Sequence, residues 1–226
     1  MRVLRISHSG TVDAWRERER VVRRHGHQVT SVVATVWDEG GRPVRLDARP
    51  GEDVIGVPTF GRHPALFIYD PLPLWRLLGK RWDVIDLHEE PFALASAEVL
   101  LLRALRRSRA PYCLYSAQNI DKRYPIPFRW LERWSLRHAA AVSACNSQAA
   151  EIVTSKGLGG RAVVIGLGVD PEAFSPGPVR PPSPNGIVRV GYAGRLAAHK
   201  GVDVLLEAAA MNPRLHVAIA GAGQQE

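Results

Sequence analysis

The feature that most constrains the fold is a regular alternation of short apolar runs with helical segments along the first 165 residues. The apolar runs have strand length, and the segments between them have helical periodicity. The predicted strands are residues 2–7, 27–34, 54–57, 84–87, 112–116, 140–144 and 162–165. The predicted helices are residues 13–24, 72–80, 92–107, 127–138 and 147–156. This alternation predicts an α/β fold, a doubly wound parallel sheet of Rossmann-like type.

The remaining residues predict a linker and a second domain. Prolines in residues 174–186 exclude a helix or a central strand and favour a stiff spacer. The pattern restarts with a strand at 188–193, a helix at 202–210 and a strand at 215–220. We expect a first domain over 1–175, a linker over 176–186 and a second domain over 187–226. A Rossmann-like domain needs roughly 100 residues, so we expect an incomplete second domain and a fragment or truncated product of a longer protein, inactive alone.

Composition excludes some classes and favours anionic partners. The formal net charge is +8, which favours phosphates, acidic lipid headgroups or nucleic acid. Almost all of the basic residues are arginines, however, so charge alone decides little. No apolar run has the length of a membrane span, and the N-terminus leads directly into a strand pattern without a secretory signal. Cys113 and Cys145 lack metal-ligand spacing. We expect a cytoplasmic protein without a metal site.

The strand that opens the second domain predicts a diphosphate-binding loop. It ends in Gly191 and Gly194, which are followed by Arg195 and Lys200, and Gly201 opens the next helix. Ligands of open α/β sheets bind at the carboxyl ends of the strands. Arginine offers a planar fork for phosphate oxygens, and lysine offers a mobile point charge.

A second candidate site follows the buried strand at 84–87. His88, Glu89 and Glu90 lie at its carboxyl end, where a ligand would bind. Neighbouring side chains of an extended chain point to opposite sides, so at most one of the two carboxylates should face the site. We expect an accessible His88 ring near Gly10 and Gln118, acting through hydrogen bonds rather than as a metal ligand.

Other strand ends supply the remaining candidates. Gly10 follows the first strand and would let backbone N–H groups approach an anion or a sugar hydroxyl, with Thr11 beside it. Gln118 follows the strand at 112–116, and Gly223 follows the last strand. We take Gly10, Thr11, Gln118, Glu89, Glu90 and Gly223 as candidate residues of ligand-binding loops.

The stretch 188–210 resembles the start of the donor-binding domain of family 4 glycosyltransferases, which have the two-domain GT-B architecture. The resemblance implies that Arg195 and Lys200 hold the diphosphate of a nucleotide-sugar. His88 matches the family pattern Asp-Val-x-x-x-His-x-x-Pro, which implies a catalytic contact with the acceptor or the transferred sugar. The chain departs from the family where Gly10 replaces a glycine pair and where Gln118 stands in place of a common histidine.

The resemblance also implies a reaction. It implies retaining transfer from a nucleotide-diphosphate sugar, with no cofactor and no metal requirement, to a glycan or a lipid-linked acceptor. Two glutamates that contact the donor in the family are absent from this sequence. The alternatives are a GT-B-fold nucleotide-sugar epimerase and a non-catalytic basic module that binds membranes. A dehydrogenase is disfavoured because Gly-x-Gly-x-x-Gly does not follow the first strand, and nucleic-acid-binding motifs are absent.

Residues 122–138 combine cations with aromatic residues, which leaves two interpretations. Helical spacing puts Arg129, Arg133 and Arg137 on one face, with Trp130 and Trp134 on the adjacent face. One interpretation is a surface that meets anionic lipid, so that the protein is peripheral at the inner face of the membrane. The other, which we favour because Glu132 interrupts the basic patch, is a core helix that buries its tryptophans.

The charged helix at 13–24 offers few apolar contacts. Its arginines and glutamates outnumber its apolar residues. An amphipathic helix packs its apolar stripe on the core. We therefore expect Trp15, Val21 and Val22 to make the contacts with the sheet.

Overall fold

The computed structural model describes residues 1–39, 41–61, 63–172, 174–178 and 186–223. The strands are β1 Arg2–Ile6, β2 Gln28–Ala34, β3 Val36–Glu39, β4 Arg42–Arg45, β5 Val54–Val57, β6 Thr59–Phe60, β7 Ile68–Tyr69, β8 Val84–Leu87, β9 Tyr112–Ser116, β10 Ala141–Ala144, β11 Arg161–Val164, β12 Val188–Ala193 and β13 Leu215–Ala220. The α-helices are α1 Glu17–Arg24, α2 Pro71–Leu78, α3 Leu94–Leu105, α4 Phe128–Arg137, α5 Ser147–Ser155 and α6 Val202–Met211. Short 3-10 helices cover His8–Thr11, Asp13–Arg16 and Ala198–Lys200.

Seven strands form a parallel sheet in the order β11-β10-β9-β8-β1-β2-β5. The chain runs from β1 outward to β2 and β5, and then restarts on the other side of β1 with β8, β9, β10 and β11. The direction of winding therefore reverses between β1 and β8. This is the topological switch point, where doubly wound sheets form a crevice outside the strand ends. The prediction of a doubly wound Rossmann-like sheet is confirmed.

One face of this sheet carries the main hydrophobic core. Alternate residues of the central strands point to this face and are fully buried, and the helices that cover it contribute leucine, valine and alanine side chains. Its central members are Leu4, Ile6, Ile85, Leu87, Leu114, Leu74, Val99 and Leu136. Burial of aliphatic groups of this size is the main stabilising contribution to such a fold.

The predicted contacts of the charged helix with the sheet are wrong for Trp15 and Val21, whereas Val22 is half-buried. Trp15 is 43% exposed and Val21 is 37% exposed, whereas Arg16 and Glu19 are buried. The reason is Arg5 of β1, which points out of the sheet and pairs with Glu19. A charged residue at the centre of the sheet requires a charged partner on the helix that covers it.

The chain forms two compact units. The first comprises Met1–Trp37 and Val44–Gly168, and the second comprises Asp38–Pro43 and Val169–Glu226. In the second unit, β12, α6 and β13 make one βαβ element whose strands pair in parallel from Val188 with Leu215 to Ala193 with Ala220. Most of the predicted linker at 176–186 lies outside the described residues, so the predicted boundaries stay predictions.

Candidate functional site

The side chains of Glu89 and His8 join the ends of β8 and β1 at the switch point. Glu89, which follows β8, accepts hydrogen bonds from the backbone N–H of His8 at 2.7 Å and from Tyr69 Oη at 2.8 Å. Its second carboxylate oxygen lies 2.6 Å from Nδ1 of His8. Glu89 is buried, and burial together with the Glu89 charge raises the pKa of the Tyr69 hydroxyl well above its usual value. The carboxylate therefore fixes the ends of β1 and β8 together.

The His8 imidazole is held in one orientation. Its ring centroid lies 4.3 Å from that of Trp37 and 5.1 Å from that of Phe67, and its side chain is 20% exposed. A histidine oriented by a carboxylate is an arrangement that can hydrogen-bond a substrate and exchange a proton. Sequence reasoning missed His8. The available signal was a titratable residue directly after β1, the strand beside the switch point.

His88 does not have the accessible ring that the sequence predicts. It is 8% exposed, and its ring centroid lies 3.8 Å from that of Tyr115. Its Nε2 accepts a hydrogen bond from Arg18 at 3.3 Å, and its buried Nδ1 has no partner among the described residues. Burial, with the nearby Arg5 and Arg18 charges, lowers the pKa of His88. His88 lies two residues after Asp86, so it shares the face of the sheet that α1 covers.

Glu90 points away from Glu89, as alternation along an extended chain requires. It accepts hydrogen bonds from the backbone N–H of Ala117 at 2.8 Å and from the Ser116 hydroxyl at 3.0 Å. Burial raises the pKa of Glu90 to about 7, and the Glu89 charge adds to this. Its hydrogen-bond donors are neutral, and among the described residues no cation pairs with it to hold it ionised.

Gln118 lies with Glu90 on the wall of a cavity of about 250 Å³ at the carboxyl ends of β8 and β9. Its side-chain amide donates to the Ile120 carbonyl at 2.9 Å and accepts from the Tyr124 hydroxyl at 3.0 Å. The other lining residues are Phe92, Ala117, Asn119, Ile120, Lys122 and Tyr124. Carboxyl, amide and ammonium groups beside aromatic rings suit a polyhydroxylated ligand.

A larger cavity, of about 510 Å³, lies elsewhere in the first unit. It is lined by residues at the start of β1 and β2, among them Arg2, Gln28 and Thr30. Open α/β sheets bind ligands at the opposite, carboxyl ends of their strands. We therefore assign the site to the smaller cavity.

Gly10 and Thr11 have their polar groups engaged within the fold, contrary to the expectation of an open anion-binding turn. The Gly10 N–H donates to the Ser7 carbonyl at 3.2 Å. The Thr11 hydroxyl donates to carbonyl oxygens of His8 and Ala34 at 2.8 and 2.7 Å. Gly10 is required for packing, since an added Cβ would lie 2.6 Å from Cγ1 of Val33. These two residues shape the turn that positions His8.

In the second unit, Arg195 and Lys200 are exposed on the loop that follows β12. The Arg195 carbonyl accepts a hydrogen bond from the Tyr192 hydroxyl at 2.8 Å. Gly201, with φ of 64°, turns the chain from Lys200 into α6. Within the described residues, neither cation forms an ion pair, so both charges are available to an anion.

Gly223 supports this loop by close backbone packing. The Leu196 N–H donates to the Ala222 carbonyl at 2.9 Å, which continues the pairing of β12 and β13 beyond their ends. A Cβ on Gly223 would lie 2.1 Å from the Leu196 carbonyl oxygen. The residue therefore has a structural reason to be glycine, independent of any ligand.

The described residues contain no group of three or more His, Cys, Asp or Glu side chains arranged to hold a metal ion. In the same part of the chain, no helix combines the length and the apolar character needed to cross a membrane.

A family model described as a glycosyl transferase 4-like domain matches residues 10–168. That stretch is more than half of the chain. The chain belongs to the glycosyl transferase 4-like family. The glycosyl transferase 4-like match includes Glu89, Glu90 and Gln118 and ends where the first compact unit ends. Among curated proteins, none matches the sequence.

Two crystal structures of Anabaena Alr3699/HepE share the GT-B fold of this glycosyl transferase 4-like chain. One, in complex with UDP and glucose, has a TM-score of 0.55 and 15% sequence identity, and covers 99% of this chain. The other, in complex with UDP-glucose, has a TM-score of 0.54 and 14% identity, and covers 98%. The chain spans 61% of the length of each.

Proposed function

We propose that this glycosyl transferase 4-like protein moves a sugar from a nucleotide-diphosphate sugar to an acceptor, with retention of configuration and without a metal ion. The observation that carries the proposal is the pair of exposed cations, Arg195 and Lys200, at the carboxyl end of β12. The UDP and UDP-glucose named in the two Anabaena structures support a nucleotide-sugar donor.

The two cations would act on the leaving group. Negative charge grows on the diphosphate as the glycosidic bond breaks, and fixed positive groups stabilise that charge in the transition state. The Arg195 fork suits two phosphate oxygens, while Lys200 adds a mobile point charge. Together they would neutralise the diphosphate without a metal ion.

The acceptor side is assigned to the carboxyl edge of the first unit. Glu90 and Gln118 on the cavity wall would hydrogen-bond acceptor hydroxyls, and His8 would be held toward the same edge by Glu89. We give this role to His8 rather than to the buried His88. We propose a glycan or a lipid-linked acceptor, reached in the cytoplasm at the inner face of the membrane.

Titration calorimetry of the chain with UDP, GDP and ADP tests the donor site. We expect at least one nucleoside diphosphate to bind, and Arg195→Ala or Lys200→Ala to weaken that binding about tenfold or more, because a charged hydrogen bond is worth about 1.5–3 kcal/mol. Arg189→Ala and Arg214→Ala, which remove exposed cations of the same unit, should leave affinity unchanged. Equal affinity in all four variants would refute the donor site.

Because we expect this chain to be inactive alone, product analysis of a longer protein that contains it separates transfer from the epimerase alternative. Retaining transfer gives a glycoside with the anomeric configuration of the donor, which proton NMR reads from the anomeric coupling constant. An epimerised sugar formed without any acceptor would favour the epimerase. An inverted glycoside would contradict retention while leaving the donor site intact.

A further inference from the structure

The exposed face of α4 carries two tryptophans and two arginines. Trp130, Arg133, Trp134 and Arg137 are spaced i, i+3, i+4 and i+7, so they form one stripe along the helix. Trp130 is 60% exposed and Trp134 is 38% exposed, and both arginines are exposed. The expectation that α4 buries its tryptophans is wrong. Its inward face is made by smaller groups, among them Leu136.

The only acidic residue of α4 is turned away from this stripe. Glu132 is 5% exposed and accepts a hydrogen bond from Nζ of Lys156 at 2.8 Å. From sequence, Glu132 interrupts the basic patch, but the fold places it on the inward face and pairs it there. The stripe therefore presents two positive charges and no carboxylate.

The segment before α4 adds further apolar and cationic side chains to this stripe, together with one exposed carboxylate, Asp121, which lies 3.9 Å from Nζ of Lys156. Ile120 is 60% exposed and Ile126 is 52% exposed. Lys122 and Arg123, between them, are also exposed. Large apolar side chains and cations are thus concentrated within 18 consecutive residues, 120–137. We define the α4 surface as Ile120, Lys122, Arg123, Ile126, Trp130, Arg133, Trp134 and Arg137.

We propose that the α4 surface docks the protein on an anionic lipid bilayer, with the helix lying in the plane of the interface. Indole rings are amphipathic and insert at the headgroup level, and isoleucine side chains insert with them. Arginine forms charged hydrogen bonds with lipid phosphates. The ten residues of α4 are too short to span a bilayer, which needs about 20, so the helix lies on it.

The combination of groups favours lipid over nucleic acid. A nucleic acid would use the arginines and could stack on the tryptophans, but it offers nothing to the two exposed isoleucines. A bilayer uses all three kinds of side chain, and the net charge of +8 adds long-range attraction to an anionic membrane. Ile120 and Lys122 also line the proposed acceptor cavity, so the test uses Trp130, Trp134, Arg133 and Arg137, which belong to neither proposed sugar-transfer site.

Sedimentation with vesicles tests the proposal on the whole chain. We expect binding to vesicles of equal parts phosphatidylglycerol and phosphatidylcholine, and at least tenfold weaker binding to pure phosphatidylcholine. The double variant Trp130→Ala, Trp134→Ala and the double variant Arg133→Gln, Arg137→Gln should each lose at least tenfold in affinity. Tryptophan fluorescence should shift to the blue on binding, and this shift should be lost in the tryptophan variant.

A matched control separates the α4 surface from general charge and hydrophobicity. Trp15→Ala, Arg24→Gln removes a tryptophan that is 43% exposed and an exposed arginine of α1, and it should bind as the parent does. Equal vesicle binding by all variants would overturn the proposal, as would a parent protein that does not bind anionic vesicles. The proposal would also be overturned if the parent did not bind vesicles and the α4 variants instead lost self-association or RNA binding.

Discussion

Single residues of the first unit carry unusual protonation states because of what surrounds them. Burial raises the pKa of Glu90 and of Glu98 to about 7. Glu98 accepts a hydrogen bond from the backbone N–H of Tyr69 at 2.8 Å. Glu90 accepts two hydrogen bonds, both from neutral donors. In both cases the partner is a neutral group and the burial penalty on the charged form prevails. Both carboxyls therefore change charge near neutral pH.

The stability of the protein should fall as the pH rises through this range. A carboxyl whose folded pKa exceeds its unfolded pKa binds its proton more tightly when folded, so the contribution is complete at acid pH and is lost as pH rises toward 7. Glu90→Gln removes the Glu90 part of this dependence, while Glu98 remains, and should be more stable than the parent at pH 8 by on the order of 1–3 kcal/mol. Urea unfolding at pH 5 and pH 8 measures it, with the exposed Glu151→Gln as control. The same difference in unfolding free energy between Glu90→Gln and the parent at both pH values would contradict the assignment.

Gly10 gives a second prediction at this scale, since the packing around it leaves no room for a Cβ. A Cβ there would lie 2.6 Å from Cγ1 of Val33, and overpacking of this kind costs about 1–3 kcal/mol. Gly10→Ala should therefore destabilise the protein by about that amount in denaturant unfolding. Gly166→Ala is the control, because its Cβ would meet nothing within 4 Å. A Gly10→Ala protein as stable as the parent would contradict the packing role.

The sequence identifies which residues follow strands, but it does not determine where their side chains point. Glu90 and Gln118, both predicted, do meet at one cavity. His88 turns toward α1 and is buried, and the unpredicted His8 lies instead beside Glu89. Orientation at a strand end depends on partners far along the chain, such as Arg18 for His88, and local pattern contains no information about them.

At the scale of elements, α1 is attached to the sheet by charge more than by apolar burial. Arg5 on β1 pairs with Glu19 on α1 and with Asp86 on β8. Arg20 of α1 pairs with Glu52 at 2.6 Å, and Arg16, directly before α1, pairs with the same carboxylate at 3.2 Å. The packing of this helix therefore depends on buried ion pairs, in which loss of one member leaves an uncompensated charge.

Removal of one member of this pairing should be costly. Glu19→Ala leaves Arg5 buried with Asp86 as its remaining carboxylate, and we expect a loss of on the order of 3 kcal/mol. Glu17→Ala, in which the lost glutamate is more exposed and pairs with Arg20 and Arg24, should cost less than about 1 kcal/mol. Chemical denaturation compares the two. Similar losses of unfolding free energy in both variants would show that the buried pair stabilises the protein no more than the exposed one.

The elements themselves are mostly readable from the sequence. β5, β8, β9, β12 and β13 have the predicted bounds, because each is a mostly apolar run of strand length. The short strands β3, β4, β6 and β7 were not predicted. They are two to four residues long, pair outside the main sheet, and include polar residues and a proline, so neither length nor periodicity distinguishes them from loop.

At the scale of the whole molecule, the two units differ in how they bury apolar surface. The core cluster draws on β1 through α5 of the first unit, from Leu4 to Val153. In the second unit, Leu196 and Val202 are buried, whereas Val204, Leu206 and Met211 of α6 are exposed. The first unit therefore has a core of its own, and the βαβ element of the second has a much smaller one.

Limited proteolysis should reveal this difference. Cleavage requires a segment that can open locally, and the connections between compact units are usual sites. With subtilisin, we expect the first cuts at 176–186 or beyond, leaving a resistant product that retains residues 1–168 and is identified by mass spectrometry. The same digestion after Glu19→Ala serves as a positive control, because weakening α1 should admit cuts near residues 13–24. Early cuts within 84–165 of the parent would contradict an independent first unit.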